Sequence, residues 1–155
     1  MNPGYALTIL VYPAAPTDST HQYLLLRRIQ PRGGFWQGIT GAVELGEALD
    51  DAAVRELSEQ AALTPIRLLP VGYHYRLPAK RDAAALSLDS QHITEHAFLA
   101  LLSAKVDPTL DPTEHDAWDW FTYKDALMWL RWPEDIEALK RCERLINPGQ
   151  PDARP

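Results

Sequence analysis

GAVELGEALDDAAVRELSEQAAL, residues 41–63, decides how the rest of the chain is read. It opens as a glycine-bounded loop, Gly41 to Glu47, and passes into a segment with helical spacing from near Ala48. On that helix Glu56, Glu59 and Gln60 stand at i, i+3 and i+4, so they share one face. Val54, Leu57 and Ala61 form a neighbouring apolar stripe that would seat the helix on a core. Like charges gathered on one face repel unless a cation sits among them. Hard oxygen ligands in this arrangement suit Mg²⁺ or Mn²⁺ better than zinc. The plainer alternative is a solvated acidic face on a surface helix.

Outward from this stretch, strands and helices can be placed by pattern. Tyr5 to Tyr12 reads as a buried strand closed by Pro13, and Gln22 to Arg28 as a second strand able to pair with it. Phe35 to Thr40 is short and strand-like and leads into the 41–63 stretch. Thr64-Pro65 ends the helix, because the residue before proline disfavours it. Ile66 to Leu77 reads as a strand interrupted by proline and glycine, hence an edge, bulge or bend. Pro78 to Gln91 is either a loop or a short helix. Thr94 to Ser103 and the aromatic Ala117 to Tyr123 read as strands, and Asp107 to Asp116 as an acidic loop. A short helix follows over Tyr123 to Leu130. Pro133 suits the first turn of a last helix running to Ile146. Strands mixed with three helices predict an α/β fold, a mixed sheet sandwiched between helices. Residues 1–146 would form one domain, with a loose tail over 147–155.

The 155 residues suffice for a single core. A net charge of −6 argues against a nucleic-acid backbone binder. The longest apolar runs fall short of a membrane span, and the N-terminus lacks the basic start of a signal peptide. One cysteine, Cys142, permits no internal disulfide and fits a reducing compartment, so a cytoplasmic location is expected. The spacing leaves oligomeric state open. His92 to His96 fits H-x-x-E-H, a zinc signature when helical. It runs into a strand-like segment, where the two histidines stand about 13 Å apart and cannot share an ion.

The spacing G-x5-E-x7-R-E-L-x-E-Q-x-A-L resembles the Nudix box, G-x5-E-x7-R-E-U-x-E-E-x-G-U, with U aliphatic. Gly41, Glu47, Arg55, Glu56, Leu57, Glu59 and Leu63 match, while Gln60 and Ala62 depart. Five matches are single-residue requirements, a coincidence on the order of one in a million per start position. The resemblance implies a loop-helix-loop that holds divalent cations on a polyphosphate and activates a water to split a phosphoanhydride. Glu56 and Glu59 would be metal ligands, either able to help deprotonate the water. The Gly41 carbonyl would be a further ligand, and Glu47 and Arg55 a structural ion pair. Gln60 offers a neutral oxygen where the family places a third glutamate, which lowers the ligand charge. Ala62 replaces a glycine, so the helix is expected to run on.

Outside the box the chain is similar to the dihydroneopterin triphosphate pyrophosphatases of bacterial folate synthesis. LLLRR (24–28), FWQGITGAVE (35–44), Thr113-Glu114-His115 before AWDWF, and Trp132 before the last helix carry this resemblance. It implies that Glu114 reaches the metal, against a solvated loop carboxylate as the alternative. It implies substrate contacts from Arg27 or Arg28, only one of which can face the site from a strand, and from Trp36, Gln37 and Thr40. Trp36 would stack on a pterin or base, or else lie in the core. The implied substrate is a small phosphoanhydride, dihydroneopterin triphosphate first and dNTPs second. The alternatives are a silent binding module, because of Gln60, and a dinucleoside polyphosphate or nucleotide-sugar hydrolase.

Overall fold

The computed structural model describes residues 5–77 and 92–149. Seven strands, β1 (Tyr5–Pro16), β2 (His21–Arg28), β3 (Trp36–Gln37), β4 (Ile39–Ala42), β5 (Arg67–Leu77), β6 (His92–Leu101) and β7 (His115–Phe121), form one mixed sheet. Three helices, α1 (Leu49–Ala61), α2 (Tyr123–Trp129) and α3 (Pro133–Ile146), pack on it. The order along the sheet is β3-β2-β1-β6-β5, with β4 added beside β1 and β7 beside β2. β1 runs parallel to β6 and antiparallel to its other neighbours. None of the described helices is long and apolar enough to cross a membrane.

The alternation of β1 and β2 builds two cores. Ile9, Val11, Leu24 and Leu26 face Leu57 and Ala61 of α1. Leu10, Tyr12, Tyr23 and Leu25 face Ala126 of α2 and Leu139 of α3. Successive strand residues point to opposite faces, so a continuous apolar run serves both layers. Burying Leu57 alone is worth roughly 2–3 kcal/mol. Cys142 lies in the second core, fully buried with its Sγ 3.9 Å from the Phe98 carbonyl oxygen, and burial pushes its thiol pKa up. This is the environment of an unreactive packed thiol.

Several boundaries differ from the sequence expectation. β1 does not stop at Pro13 but continues to Pro16. Its antiparallel partner changes from β4, ending at Val11, to β2, beginning at Ala14, and Pro13 falls in the gap between them. The expected strand over Phe35 to Thr40 is two short strands, β3 and β4, that pair with different neighbours. Val54 is 43 % exposed and is not part of the packed stripe. Ala52, Ala53, Leu57 and Ala61 face the sheet instead, small residues that bring the helix close. β5 is an edge strand whose register shifts between Pro70 and His74, with Gly72 at φ 77°. Pro133 occupies the first turn of α3. The H-x-x-E-H segment lies on strand β6. The 78–91 stretch falls outside the described residues.

Helix α1 does not run on past Ala62. Ala62 adopts the left-handed conformation, φ 56° and ψ 40°, and its N–H reaches the carbonyls of Leu57 and Ser58. The N–H of Leu63 also reaches the Leu57 carbonyl, so the chain closes the helix as a glycine would. The turn is fixed by Leu63, 2 % exposed in the first core, rather than by local preference. A Cβ in this region costs about 1–2 kcal/mol. Ala62→Gly is therefore expected to stabilise the protein by about 1 kcal/mol after the entropy of the freer unfolded chain is counted, measured as a raised urea midpoint with unchanged slope.

Candidate active site

The end of the sheet where β4 enters the box loop carries a cleft. Ala42 at the end of β4 and the second half of α1, through Glu56, Glu59 and Gln60, line one part of it. Gly41 sits on β4 directly beneath Glu56, and a Cβ there would overlap the Glu56 carboxyl group. Only glycine lets the backbone approach this closely. Gly41→Ala is expected to displace Glu56 and to lower turnover at least about 10²-fold. Circular dichroism should show the fold retained, since the overlap is with the end of the Glu56 side chain and not with backbone.

Arg55 is the hub of the loop. Its Nε and Nη2 donate to the two Glu47 oxygens at 2.9 and 3.0 Å, and Nη2 also donates to the Ala42 carbonyl at 2.8 Å. Its Nη1 donates to Glu56 at 2.8 Å and to Glu59 at 3.1 Å. The Glu44 N–H donates to Glu47 at 3.0 Å. The Arg55 bonds, with this N–H, hold the Glu47 pKa down at about 2, and the Arg55 pKa is raised in turn. A guanidinium fork suits this planar, two-oxygen grip.

Glu56 is buried, and burial raises its pKa against the opposing pull of Gln60 and Arg55. Gln60 Nε2 donates to Glu56 Oε2 and to the Thr40 carbonyl, both at 2.5 Å, while Gln60 Oε1 is buried with no partner. Glu59 is exposed and paired with Arg55. Among the described residues no three His, Cys, Asp or Glu side chains stand close enough to hold an ion. Arg55 and Gln60 engage the Glu56 oxygens. The donor chemistry nevertheless fits a hard divalent cation. A buried carboxylate, a second carboxylate one turn on, a neighbouring strand carbonyl and an orphaned amide oxygen meet at one place, and all are oxygens.

Arg28, Arg32, Glu114 and His115 line the same cleft. Arg28 is buried, stacks on Phe35 with its guanidinium 4.6 Å from the ring centre, and donates to Thr40 Oγ1 at 3.2 Å. Arg32 stands 3.8 Å from Glu114. Burial raises the Glu114 pKa, against Arg32, which lowers it. His115 has its pKa pushed down to about 4 by burial and by Arg28 and Arg32.

The residues singled out in the sequence therefore divide. Gly41, Glu56, Glu59, Gln60, Thr40, Arg28 and Glu114 line one cleft. Arg27 turns the other way, bonded to Asp116 at 2.8 Å, after a register shift between Arg27 and Arg28. Trp36 packs edge-on against Phe121 and Trp129. Gln37 is buried and donates to Asp135 at 3.0 Å. Neither Trp36 nor Gln37 lines the cleft. Sequence reasoning missed Thr8, Arg32, Glu95 and His115, which do. The period of two in TEHAFLAL was the available signal for Glu95, since it sets Glu95 on the face of Ala97 and Leu99.

The chain is 36% identical over 119 residues to an octanoyltransferase of Myxococcus xanthus, an alignment covering 77% of this chain and 31% of that protein. It thus spans under a third of that relative's length. It is 29% identical over 132 residues to the dihydroneopterin triphosphate diphosphatase of Haemophilus influenzae, covering 81% of this chain and 80% of that one. The dihydroneopterin triphosphate pyrophosphohydrolase of E. coli shares its fold, with a TM-score of 0.74 at 23% identity over 90% of this chain and 94% of that one. The NUDIX domain family matches residues 8–142. With the box loop, its helix and the sheet that seats them, this match shows that the chain belongs to the NUDIX family.

Proposed function

We propose that the protein is a divalent-metal-dependent pyrophosphohydrolase that cleaves a phosphoanhydride in a nucleoside-triphosphate-like substrate. The leading substrate is dihydroneopterin triphosphate, cut to the monophosphate and pyrophosphate, with dNTPs as side substrates. The observation that carries this reading is the mixed lining of the cleft. Carboxylates Glu56 and Glu59 from α1 and guanidinium groups Arg28 and Arg32 from β2 and the turn after it line the same cleft. A polyphosphate needs both a cation and fixed positive donors. The Haemophilus influenzae relative, matched along four-fifths of both chains, supports the choice of substrate.

Mg²⁺ or Mn²⁺ would be held by Glu56, Glu59 and the Gly41 carbonyl, with Gln60 Oε1 and Glu114 completing the oxygen set. When bound, the ion neutralises phosphate charge and lowers the pKa of a water. Arg28, locked by Phe35 and Thr40, orients the phosphates. Glu56 or Glu59 accepts the proton of the attacking water. Arg55 and Glu47 hold the loop against the helix and take no part in the chemistry. We place the protein in the cytoplasm, acting on a small molecule rather than on nucleic acid.

A second reading is favoured by Gln60 alone. An amide that donates to Glu56 takes up a carboxylate oxygen and supplies no charge, which describes a module that binds such a ligand without turnover. Pyrophosphate release from dihydroneopterin triphosphate, dNTPs, diadenosine polyphosphates and nucleotide sugars, over a range of Mg²⁺ and Mn²⁺, separates the two. Metal-dependent release from the pterin supports the enzyme. No release from any substrate at any metal level, with ligand binding retained, supports the module.

A further inference from the structure

His92 and His96 share no ion, because they stand four residues apart on strand β6. His96 has a different imidazole beside it. The edge strand β5 pairs antiparallel with β6, with Pro70 opposite Phe98 and His74 opposite His96. Four steps along β5, from Pro70 to His74, therefore match two along β6, from Phe98 to His96. Had the register at Pro70 continued, Gly72 would face His96. The extra residues are taken up in a bulge instead, with Gly72 at φ 77°, a conformation that glycine adopts without strain. Bulges re-aim the side chains that follow them. This one replaces a residue with no side chain by an imidazole, opposite the only imidazole in the middle of β6.

The His74 and His96 ring centroids are 5.1 Å apart and their planes 24° from parallel. Two imidazoles on one ion, with metal–nitrogen bonds of about 2.0–2.1 Å at a tetrahedral angle, place their ring centroids about 5 Å apart. The separation thus already suits a shared ion. The terminal torsion of a histidine is broad, so turning a ring brings one nitrogen of each to a common point. Both side chains lie on the face of the sheet that carries Phe98 and Ala100. His74 is exposed and His96 half-buried, so water has access to the remaining coordination positions. Imidazole nitrogen suits Zn²⁺, Ni²⁺ and Cu²⁺, whereas an all-oxygen set such as that of the box suits Mg²⁺ and Mn²⁺. Neither histidine lines the cleft. An ion held here would tie the bulged edge strand to its neighbour.

We propose that His74 and His96 form a second cation site, for an imidazole-preferring divalent ion such as Zn²⁺, outside the cleft and separate from its chemistry. The site does not depend on the phosphoanhydride reading and stands or falls without any measurement of turnover. Zn²⁺ is titrated into the full chain with Mg²⁺ in excess, and the ring proton signals of His74 and His96 are followed by NMR. In the wild type both signals are expected to move together, at one and the same Zn²⁺ concentration. His74→Asn changes an exposed position and should leave the fold intact. In that variant the His96 signal should need at least about tenfold more Zn²⁺ to move, because one ligand of the pair is gone. Zn²⁺ should also raise the melting temperature of the wild type more than that of the variant, since the ion binds the folded pair. Signals that do not move in the wild type, or a His96 signal that responds equally in His74→Asn, would overturn the site. Equal Zn²⁺ effects on the two melting temperatures would do the same. Zn²⁺ taken up by the box acids is common to both proteins and drops out of the comparison.

Discussion

Glu56→Gln is expected to lower metal-dependent pyrophosphate release by about 10³-fold or more, with the fold intact. The substitution keeps shape and removes one negative charge at the point where the box helix, Gly41 and Gln60 converge. In the proposed mechanism that charge would act on the cation and the attacking water, and a single such electrostatic contact is commonly worth 10²–10³ in rate. Stability should change little by comparison. The carboxylate is buried with a raised pKa, so its desolvation already offsets much of what Arg55 and Gln60 return. Initial rates against Mg²⁺ and Mn²⁺ concentration, with a thermal melt of each protein, provide the check. Unchanged turnover would mean that the reaction is carried by another part of the cleft.

Gln60→Glu should produce the largest change in how stability depends on metal. In the structure the Gln60 amide nitrogen donates at 2.5 Å to two acceptors, Glu56 Oε2 and the Thr40 carbonyl. A carboxylate in its place has no proton to donate at neutral pH. Two carboxylates and a carbonyl would then face one another in a buried corner. Without metal this should destabilise the protein by about 1–3 kcal/mol, which for a chain of this size lowers the melting temperature by about 2–4 °C for each kcal/mol. A divalent cation reverses the sign, because the new charge adds to the ligand set and binding to the folded state alone stabilises it. The measurement is the difference in melting temperature between EDTA and Mn²⁺, expected to be clearly larger in the variant. An equal difference in both proteins would mean that residue 60 is not part of the metal's surroundings. Turnover on the same samples reads the consequence. A large gain at low metal marks a site weakened by glutamine, and no gain with ligand still bound marks the module.

Much of the layout was legible because it depends on neighbours along the chain. The box helix, its acids and the Arg55 to Glu47 spacing follow from one stretch of 23 residues, positions 41–63. The apolar runs of β1 and β2 marked strands, their mixture with three helices pointed to a sheet between helices, and Pro133 marked the start of the last helix. What depended on partners far away in sequence was not legible. Val54 is more apolar than Ala53, yet Ala53 is buried in the core with Ile9 and Leu24 and Val54 is exposed, because the seat on the sheet and not local hydropathy selects the packed face. The left-handed Ala62 opposes local preference and is imposed by the seat of Leu63. Arg27 and Arg28 differ only in strand parity, and the register against β7 turns Arg28 to Phe35 and Thr40 and Arg27 to Asp116. Glu95 lay inside a segment noted only for H-x-x-E-H, a zinc signature that its strand-like reading set aside. Parallel pairing with β1 brought it to Thr8, and antiparallel pairing with β5 brought it to Tyr75. A sequence states which side chains can do chemistry and which share a face. Which faces meet is decided by strand order and register, because only long-range pairing sets residues 87 positions apart within hydrogen-bond reach.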